Sequence, residues 1–346
     1  MGGAYSGEVT AGESKFSRGG CVRTKYDTIV GFQDLNTLSL GALHAELTRG
    51  GLARRLYELA REEDLGGAGD VTSAVCFGGQ GGEVEARLVM RGGGVVCGMA
   101  CAGELAGVIA PMARVEVLVE DGTRVERGTV AAVVRGGVGE VLALERTLLN
   151  LVGRLSGVAT ATAGAVGMVP SGCRARVFDT RKTTPGLRVL EKYAVRCGGG
   201  MCHRIGLFDA VLIKDNHLSA AGVGTDGVSG LAAFVREASA RARMIAGVRF
   251  VEVEVDTMAQ YRALLELEAG VVDIVLLDNF DVAMMTEAVA MREARRPGLL
   301  LEASGGITRE TLASVARTGV DRISMGSITH SSVSLDVALD IGEMTA

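Results

Sequence analysis

No stretch of this 346-residue chain stays apolar for the roughly 18 residues that a membrane-spanning helix needs. Excess positive charge is also missing. Lys and Arg number 36 against 41 Asp and Glu, and the net charge of -5 argues against general nucleic-acid binding. The seven cysteines form no framework. Cys97 and Cys101 stand four apart and Cys197 and Cys202 five apart, with no second pair at zinc-type spacing. An odd number of cysteines, several inside apolar runs, predicts reduced thiols and a cytoplasmic setting. Residues 1–35 lack both periodicity and the apolar core of a signal peptide. A flexible extension is expected there. Arg18, Arg23 and Lys25 leave a targeting role open, while Glu8 and Glu13 speak against a transit peptide.

Lysine and histidine are scarce as well, and their distribution is uneven. Three of the five lysines and two of the four histidines fall between Asp179 and His217, in DTRKTTPGLRVLEKYAVRCGGGMCHRIGLFDAVLIKDNH. Apolar segments that read as buried strands flank this stretch. A basic cluster against such strands is poorly explained as a solvated face and suits a pocket for several anionic groups.

With 48% hydrophobic residues the chain can fill the core of two domains. Apolar spacing predicts helix from about Leu38 through LGALHAELTRGGLARRLYELAREEDL, broken at GGAGDVTSAV by glycines and the turn-former Asp70. Strands are expected at 83–90, 94–97 and 114–119, with a helix over 98–110 and a hairpin at Asp121-Gly122. A long helix should cover 139–166, where Glu145, Arg146 and Asn150 fall within about one turn. Beyond Cys173 the texture changes to alternation. Strands are predicted at 175–179, 209–214, 249–254, 272–278, 298–303 and 320–325, and helices at 185–197, 229–245, 257–269, 281–295 and 308–317. Such alternation makes a parallel sheet covered by helices. Nearly every strand ends in something chemical: Arg181-Lys182, Lys214-Asp215, Glu254, Asp278, Ser304-Gly305-Gly306 and Gly326-Ser327. An open doubly wound sheet would spread these ends along a line, whereas a barrel gathers them at one mouth, so an incomplete α/β barrel is the better reading.

At that mouth Arg181 and Lys182 suit carboxylate and phosphate respectively. His203 and Arg204 follow three glycines that allow close backbone approach. Lys214 closes an apolar strand, where an unpaired lysine is costly. Glu254 and Asp278 could hold Mg2+ through water, stabilise positive charge on a substrate, or pair with the nearby cations. Glu252 shares the strand face of Glu254, and either could point inward; Glu254 is favoured. Ser304-Gly305-Gly306, Gly326-Ser327 and His330 read as a phosphate cup.

Taken together, EDLGGAGDVTS (63–73), ERTLLNLVGRLSG (145–157), the whole of 179–217, VEVEVDT (251–257), LLDNF (276–280), EASGGI (302–307) and MGSITHS (325–331) resemble the quinolinate phosphoribosyltransferase family from about Leu38 onward. The resemblance implies an α/β fold: an N-terminal α/β sandwich (36–148, completed by 331–346) and an open barrel of about six to seven parallel strands (149–330). It implies phosphoribosyl transfer from PRPP to quinolinate with decarboxylation, a Mg2+ requirement, and a homodimer in which Arg146 reaches the neighbouring subunit's site. Quinolinate would meet Arg146, Arg181, His203, Arg204 and Lys214. Lys182, Glu254 and Asp278 would be catalytic, the two acids also serving Mg2+. Lys182, Ser304, Gly305, Gly306, Gly326, Ser327 and His330 would hold PRPP. No nucleic acid or membrane partner is expected. Two departures stand out: the extension at 1–35, and a loop at 219–230 that looks longer than the family's. The alternatives are a relative that uses another aromatic base and a non-catalytic phosphate-binding barrel.

Overall fold

One helix of 29 residues, α5, organises the molecule. The computed structural model describes residues 34–78, 81–223 and 228–342, and α5 runs from Val138 to Val166 near their middle. At 1.5 Å per residue it is about 43 Å long. Before it come α1 (Leu40–Thr48), α2 (Leu52–Leu65), α3 (Val71–Phe77), β1 (Glu83–Met90), β2 (Gly94–Val95), α4 (Met99–Ile109), β3 (Arg114–Val117), β4 (Arg124–Val125) and β5 (Val130–Gly137). After it come β6 (Arg176–Phe178), α6 (Arg188–Cys197), β7 (Val211–Ile213), α7 (Asp215–Ala220), α8 (Leu231–Arg243), β8 (Val251–Val255), α9 (Met258–Leu265), β9 (Ile274–Asp278) and α10 (Val282–Arg295). The chain ends with β10 (Leu300–Ser304), α11 (Arg309–Arg317), β11 (Arg322–Ser324), α12 (Ser327–His330) and β12 (Val337–Ile341).

An antiparallel sheet of order β12-β1-β5-β3 carries helices over it, with α4 against β3 and α5 against β1, β5 and β12. The last strand, β12, therefore returns to the N-terminal sheet. Its path crosses α5 at two glycines. A Cβ on Gly153 would lie 2.9 Å from the Leu335 carbonyl oxygen, and one on Gly157 would lie 2.2 Å from that of Val333. Only bare backbone fits at these crossings.

The second sheet has the order β6-β11-β10-β9-β8-β7, parallel throughout, and Met201 adds a single parallel bridge to Phe178 beyond β6. Among the described residues nothing pairs β7 back to that edge. The barrel is open, as the alternation of strands and helices predicts. Each expected barrel strand is present and begins one or two residues later than expected, while β8 and β10 run one residue further.

Three local readings change. Asp121-Gly122 forms a turn, but β3 pairs with β5 while β4 pairs with β2, so no hairpin results. The Asp121 carboxylate instead accepts the amides of Met99 and Ala100 at 2.9 and 3.0 Å, capping α4. Asp70 does more than break the preceding helix: it caps α3 by accepting the Ser73 amide at 3.0 Å. The helical run from Leu38 divides at Gly51, whose φ of 71° suits glycine. The extension expected at 1–35 lies outside the described residues except for Asp34 and Leu35. Of the 219–230 loop, residues 224–227 lie outside them as well.

Gly157→Ala tests the crossing. Helix propensity alone would favour alanine by about 1 kcal/mol. The clash with the Val333 backbone should outweigh this and leave a net destabilisation of roughly 1–3 kcal/mol, read by denaturant unfolding.

Candidate active site

Alternate residues near the ends of the barrel strands, with the loops that follow them, build a pocket of about 670 Å³. Its wall includes Thr180, Arg181 and Lys182 after β6, His203 and Arg204, Lys214 after β7, Glu254 on β8, Asp278 on β9, Ser304, Gly305 and Gly306 at the end of β10, and Gly326, Ser327 and His330 after β11. All the candidates read from sequence line it except Arg146. That residue is exposed on α5 and does not belong to this pocket's wall.

Cations gather on one side. Arg181 keeps its Nε buried without a hydrogen-bond partner. Burial, and then repulsion from Arg181, pulls both Arg204 and Arg188 below the ordinary arginine range. Arg188 does not touch the pocket. Its Nε donates to Thr183 Oγ1 at 2.9 Å, steadying the turn that carries Arg181 and Lys182. Lys214 forms an ion pair with Glu254. Lys192 is not a pocket residue at all: it is fully buried in an ion pair with Asp179 at 2.5 Å.

The opposite side is rich in glycine. Gly305, with φ +86°, lies so close to Asn279 that a Cβ would sit 2.3 Å from the Asn279 Oδ1. Asn279 itself holds a φ of 56° and donates to Asp278 Oδ2 at 2.7 Å, which orients that acid. A Cβ on Gly326 would lie 2.9 Å from Lys182 Cδ and 3.2 Å from His330 Nε2, so both side chains converge over that glycine. The N-terminus of α11, capped at Thr308, completes this end.

The segment that carries Arg204 has no regular pairing, yet five successive amides are each accepted by a side chain. Cys202 donates to Asn36 at 2.7 Å, His203 to Asp179 at 2.8 Å and Arg204 to His203 Nδ1 at 2.7 Å. Ile205 and Gly206 both donate to Asp209, at 2.9 and 2.8 Å. Such full accounting is what buried irregular backbone requires.

At the floor of the pocket, which His203 and Glu302 line, lies a buried layer of which sequence reasoning missed Glu302 and Arg322. His203 Nε2 is 3.0 Å from Glu252 and 3.2 Å from Glu302. Glu302 also meets Arg322 at 2.5 Å, and Arg322 stacks 3.8 Å from the Phe178 ring centre. The ligand atoms of His203, Glu252 and Glu302 lie within 4.8 Å of one another, a buried cluster able to hold a metal ion. Both Glu252 and Glu254 face inward, at different depths: Glu254 lines the pocket and Glu252 is fully buried below it. The missed residues had a signal. Glu302 shares a strand face with Ser304, and Arg322 with Ser324.

Burial, and then the Glu302 charge, pushes Glu252 above the carboxylate range. Burial also opposes an ionised Glu302, but His203 and Arg322 outweigh it and hold Glu302 at about 2. For His203, burial opposes protonation while Glu302 and Glu252 together push the imidazole up to about 9. The Arg204 amide donates to His203 Nδ1 at 2.7 Å, so Nε2 is the ring nitrogen that faces the two acids.

Two family models match the chain: "Quinolinate phosphoribosyl transferase, N-terminal domain" over residues 70–156 and "Quinolinate phosphoribosyl transferase, C-terminal domain" over 158–340. The chain belongs to the quinolinate phosphoribosyltransferase family. It is 41% identical over 293 residues to the nicotinate-nucleotide pyrophosphorylase [carboxylating] of Mycobacterium leprae, covering 84% of this chain and 97% of that protein. It is 37% identical over 298 residues to a mitochondrial quinolinate phosphoribosyltransferase [decarboxylating] of Nicotiana tabacum, covering 83% and 81%. Among solved structures, the nicotinate-nucleotide pyrophosphorylase of Francisella tularensis superposes with a TM-score of 0.73 at 31% identity, covering 90% of this chain and 99% of that one.

The Glu302 charge should leave an acid signature. A carboxyl held at about 2 when folded, against 4.5 as the ordinary value, contributes stability that is present above pH 4.5 and lost as pH falls towards 2. The melting-temperature gap between the parent protein and Glu302→Gln should therefore narrow from pH 5 to pH 3. A constant gap would mean that Glu302 is not held ionised.

Proposed function

We propose that this family member transfers the phosphoribosyl group of PRPP to the ring nitrogen of quinolinate with decarboxylation, giving nicotinate mononucleotide, pyrophosphate and CO2. The observation that carries this reading is the division of one pocket into a cationic side and a glycine-rich phosphate side, with Glu254 and Asp278 between them. A dicarboxylate and a phosphorylated ribose match the two sides. The relatives' printed names supply the same pairing of substrate class and reaction.

The chemistry follows from charge. As the bond from C1 of the ribose to pyrophosphate breaks, the leaving group takes the electron pair and positive charge grows on the sugar. Glu254 and Asp278 would face that charge in a pocket where preorganised carboxylates act strongly. Arg181, Arg204 and Lys214 would hold the two quinolinate carboxylates and aim the ring nitrogen at C1. Once the new C–N bond makes the ring cationic, the C2–carboxylate bond can break. Its electron pair stays on C2 beside the positive nitrogen until a solvent proton replaces CO2. Lys182, His330 and the backbone around Ser304, Gly305, Gly306, Gly326 and Ser327 would bind the phosphates.

Glu254 and Asp278 fit Mg2+, being oxygen donors on adjacent strands of an open pocket. The ion would neutralise pyrophosphate charge. The deeper His203–Glu252–Glu302 cluster suits it less, because Arg322 already supplies a cation there. We further propose a homodimer in which the exposed Arg146 completes a neighbouring copy's pocket, with domains at 36–148 plus the C-terminal strand and at 149–330. The return of β12 to β1 supports that division. A cytoplasmic location suits the free thiols. The mitochondrial and chloroplastic names of plant relatives keep organellar import, through residues 1–35, as the competing placement.

Incubation with PRPP, Mg2+ and either quinolinate or nicotinate tests the reading. Nicotinate mononucleotide and CO2 should form from quinolinate, with little product from nicotinate; a folded protein inert towards both bases refutes it. Arg146→Ala and Asp278→Ala proteins should each lose at least about a hundredfold in activity. Mixed and allowed to exchange subunits, they should recover part of it, through one intact composite site per mixed dimer. No recovery from demonstrated mixed dimers would rule out sharing of Arg146.

A further inference from the structure

Lys182 and His330 reach the glycine-rich side of the pocket from two different loops. Their meeting point is Gly326, where an added Cβ would lie 2.9 Å from Lys182 Cδ and 3.2 Å from His330 Nε2. One arginine that does not belong to the pocket wall holds both loops. Arg154, on α5, commits its whole guanidinium to them. Nε and Nη2 donate to Glu191 Oε1 at 3.0 and 2.6 Å. Nη2 also donates to the Thr329 carbonyl at 2.6 Å, and Nη1 to the Ser332 carbonyl at 2.8 Å. These two carbonyls lie at the C-terminal end of α12, the helix that carries His330.

Glu191, on α6, extends the contact to the other loop. Its side chain is fully buried. Its carboxylate also accepts the Thr184 amide at 3.0 Å and the Thr184 hydroxyl at 2.9 Å. Thr184 belongs to the turn that follows Arg181 and Lys182. The two loops then join directly, because the fully buried Thr329 hydroxyl donates to the Lys182 carbonyl at 2.7 Å. Arg154, Glu191, Thr184 and Thr329 form a frame behind the two pocket side chains, anchored on the longest helix of the described residues. A point charge would suffice to neutralise Glu191. Reaching one acid and two carbonyls in different directions takes a planar fork.

We propose that Arg154 is a positioning residue that sets the spacing between Lys182 and His330, and with it the fit of a phosphate-bearing substrate between them. It acts through Glu191 on the turn at 180–187, and through the Thr329 and Ser332 carbonyls on α12. The kinetic consequence rests on the PRPP reading above, and the spacing rests on geometry alone.

Arg154→Lys separates charge from geometry. It keeps a cation against Glu191, so the protein should stay folded, as its melting curve would show. The Glu191–Thr184 contacts that steady the Arg181 turn should survive, while the carbonyls of α12 lose their donors. The KM for PRPP should therefore rise about tenfold, with the KM for quinolinate changed by less than about twofold. Thr329→Val removes the direct link between the loops and should give the same split. The double variant should add little to either, because both act on one spacing. A folded Arg154→Lys protein with the parent KM for PRPP overturns the proposal, since charge alone would then explain the arginine. An equal rise in both KM values, or effects of the two variants that multiply, overturns it as well. If Arg154→Lys does not fold, Thr329→Val alone decides through the same split. If the parent makes no product from PRPP and quinolinate, the functional reading falls, and a crystal structure of Arg154→Lys decides the spacing. Lys182 and His330 should no longer both pack over Gly326; their parent arrangement there would refute the role of Arg154.

Discussion

The barrel does not close, and much of the site follows from that. Six parallel strands leave a gap between the bridge at Met201 and β7. The chain must cross it between 202 and 210 with neither helix nor sheet to satisfy its amides. Unpaired buried amides would each cost about 1–3 kcal/mol. Asn36, Asp179, the His203 ring and Asp209 accept five of them in turn. The price is a set of buried acids, and buried acids need cations. Lys192 answers Asp179, and Arg249 answers Asp209 at 2.5 Å. The irregular crossing is therefore held amide by amide, and it carries Arg204 at the pocket wall.

Charge in the pocket is arranged by the same logic with the opposite outcome. Lys192 and Arg249 have their acids; Arg181 retains a buried Nε without a partner and is crowded by Arg188 and Arg204. Three guanidinium groups near one another repel, and Asp179 and Glu191 near Arg188, with Glu252, Asp209 and Glu254 near Arg204, offset part of that cost. A dianionic ligand would offset more of it. Lys214 differs, because Glu254 already neutralises it. Its transfer towards a substrate carboxylate would release Glu254 to face the ribose just as the sugar gains charge.

Much of this was legible in the sequence, and the limits have physical causes. Parallel strands with chemical residues at their ends announced the barrel, because alternation and rim placement are local patterns. The close approaches at Gly305 and Gly326 were readable as glycine turns, since close approach demands glycine. Lys192 misled by composition: nothing near it in sequence shows that Asp179 lies opposite once α6 packs. The Asp121 turn misled likewise, because a turn dipeptide fixes a reversal of the chain and not which strands pair. Arg146 is exposed within one chain, so any part it plays in a pocket needs a neighbouring copy.

The buried layer holds the instructive omissions, Glu302 and Arg322, and settles the depth of Glu252. Glu252, Glu302 and Arg322 sit on strand faces that alternation alone assigns to the barrel interior, beside Glu254, Ser304 and Ser324. A hydrophobic strand with a charged residue at an inward position has two solutions: reach the mouth, or find a partner inside. Depth decides between them. Glu254 lies one alternation nearer the mouth than Glu252 and reaches the pocket. Glu302 stands level with Arg322 in the parallel register and pairs with it across the barrel wall. The layer costs more to bury than apolar side chains of the same size would. What it gains is placement: an imidazole walled by Phe178 and Phe250, with Nδ1 accepting the Arg204 amide and Nε2 turned towards Glu252 and Glu302.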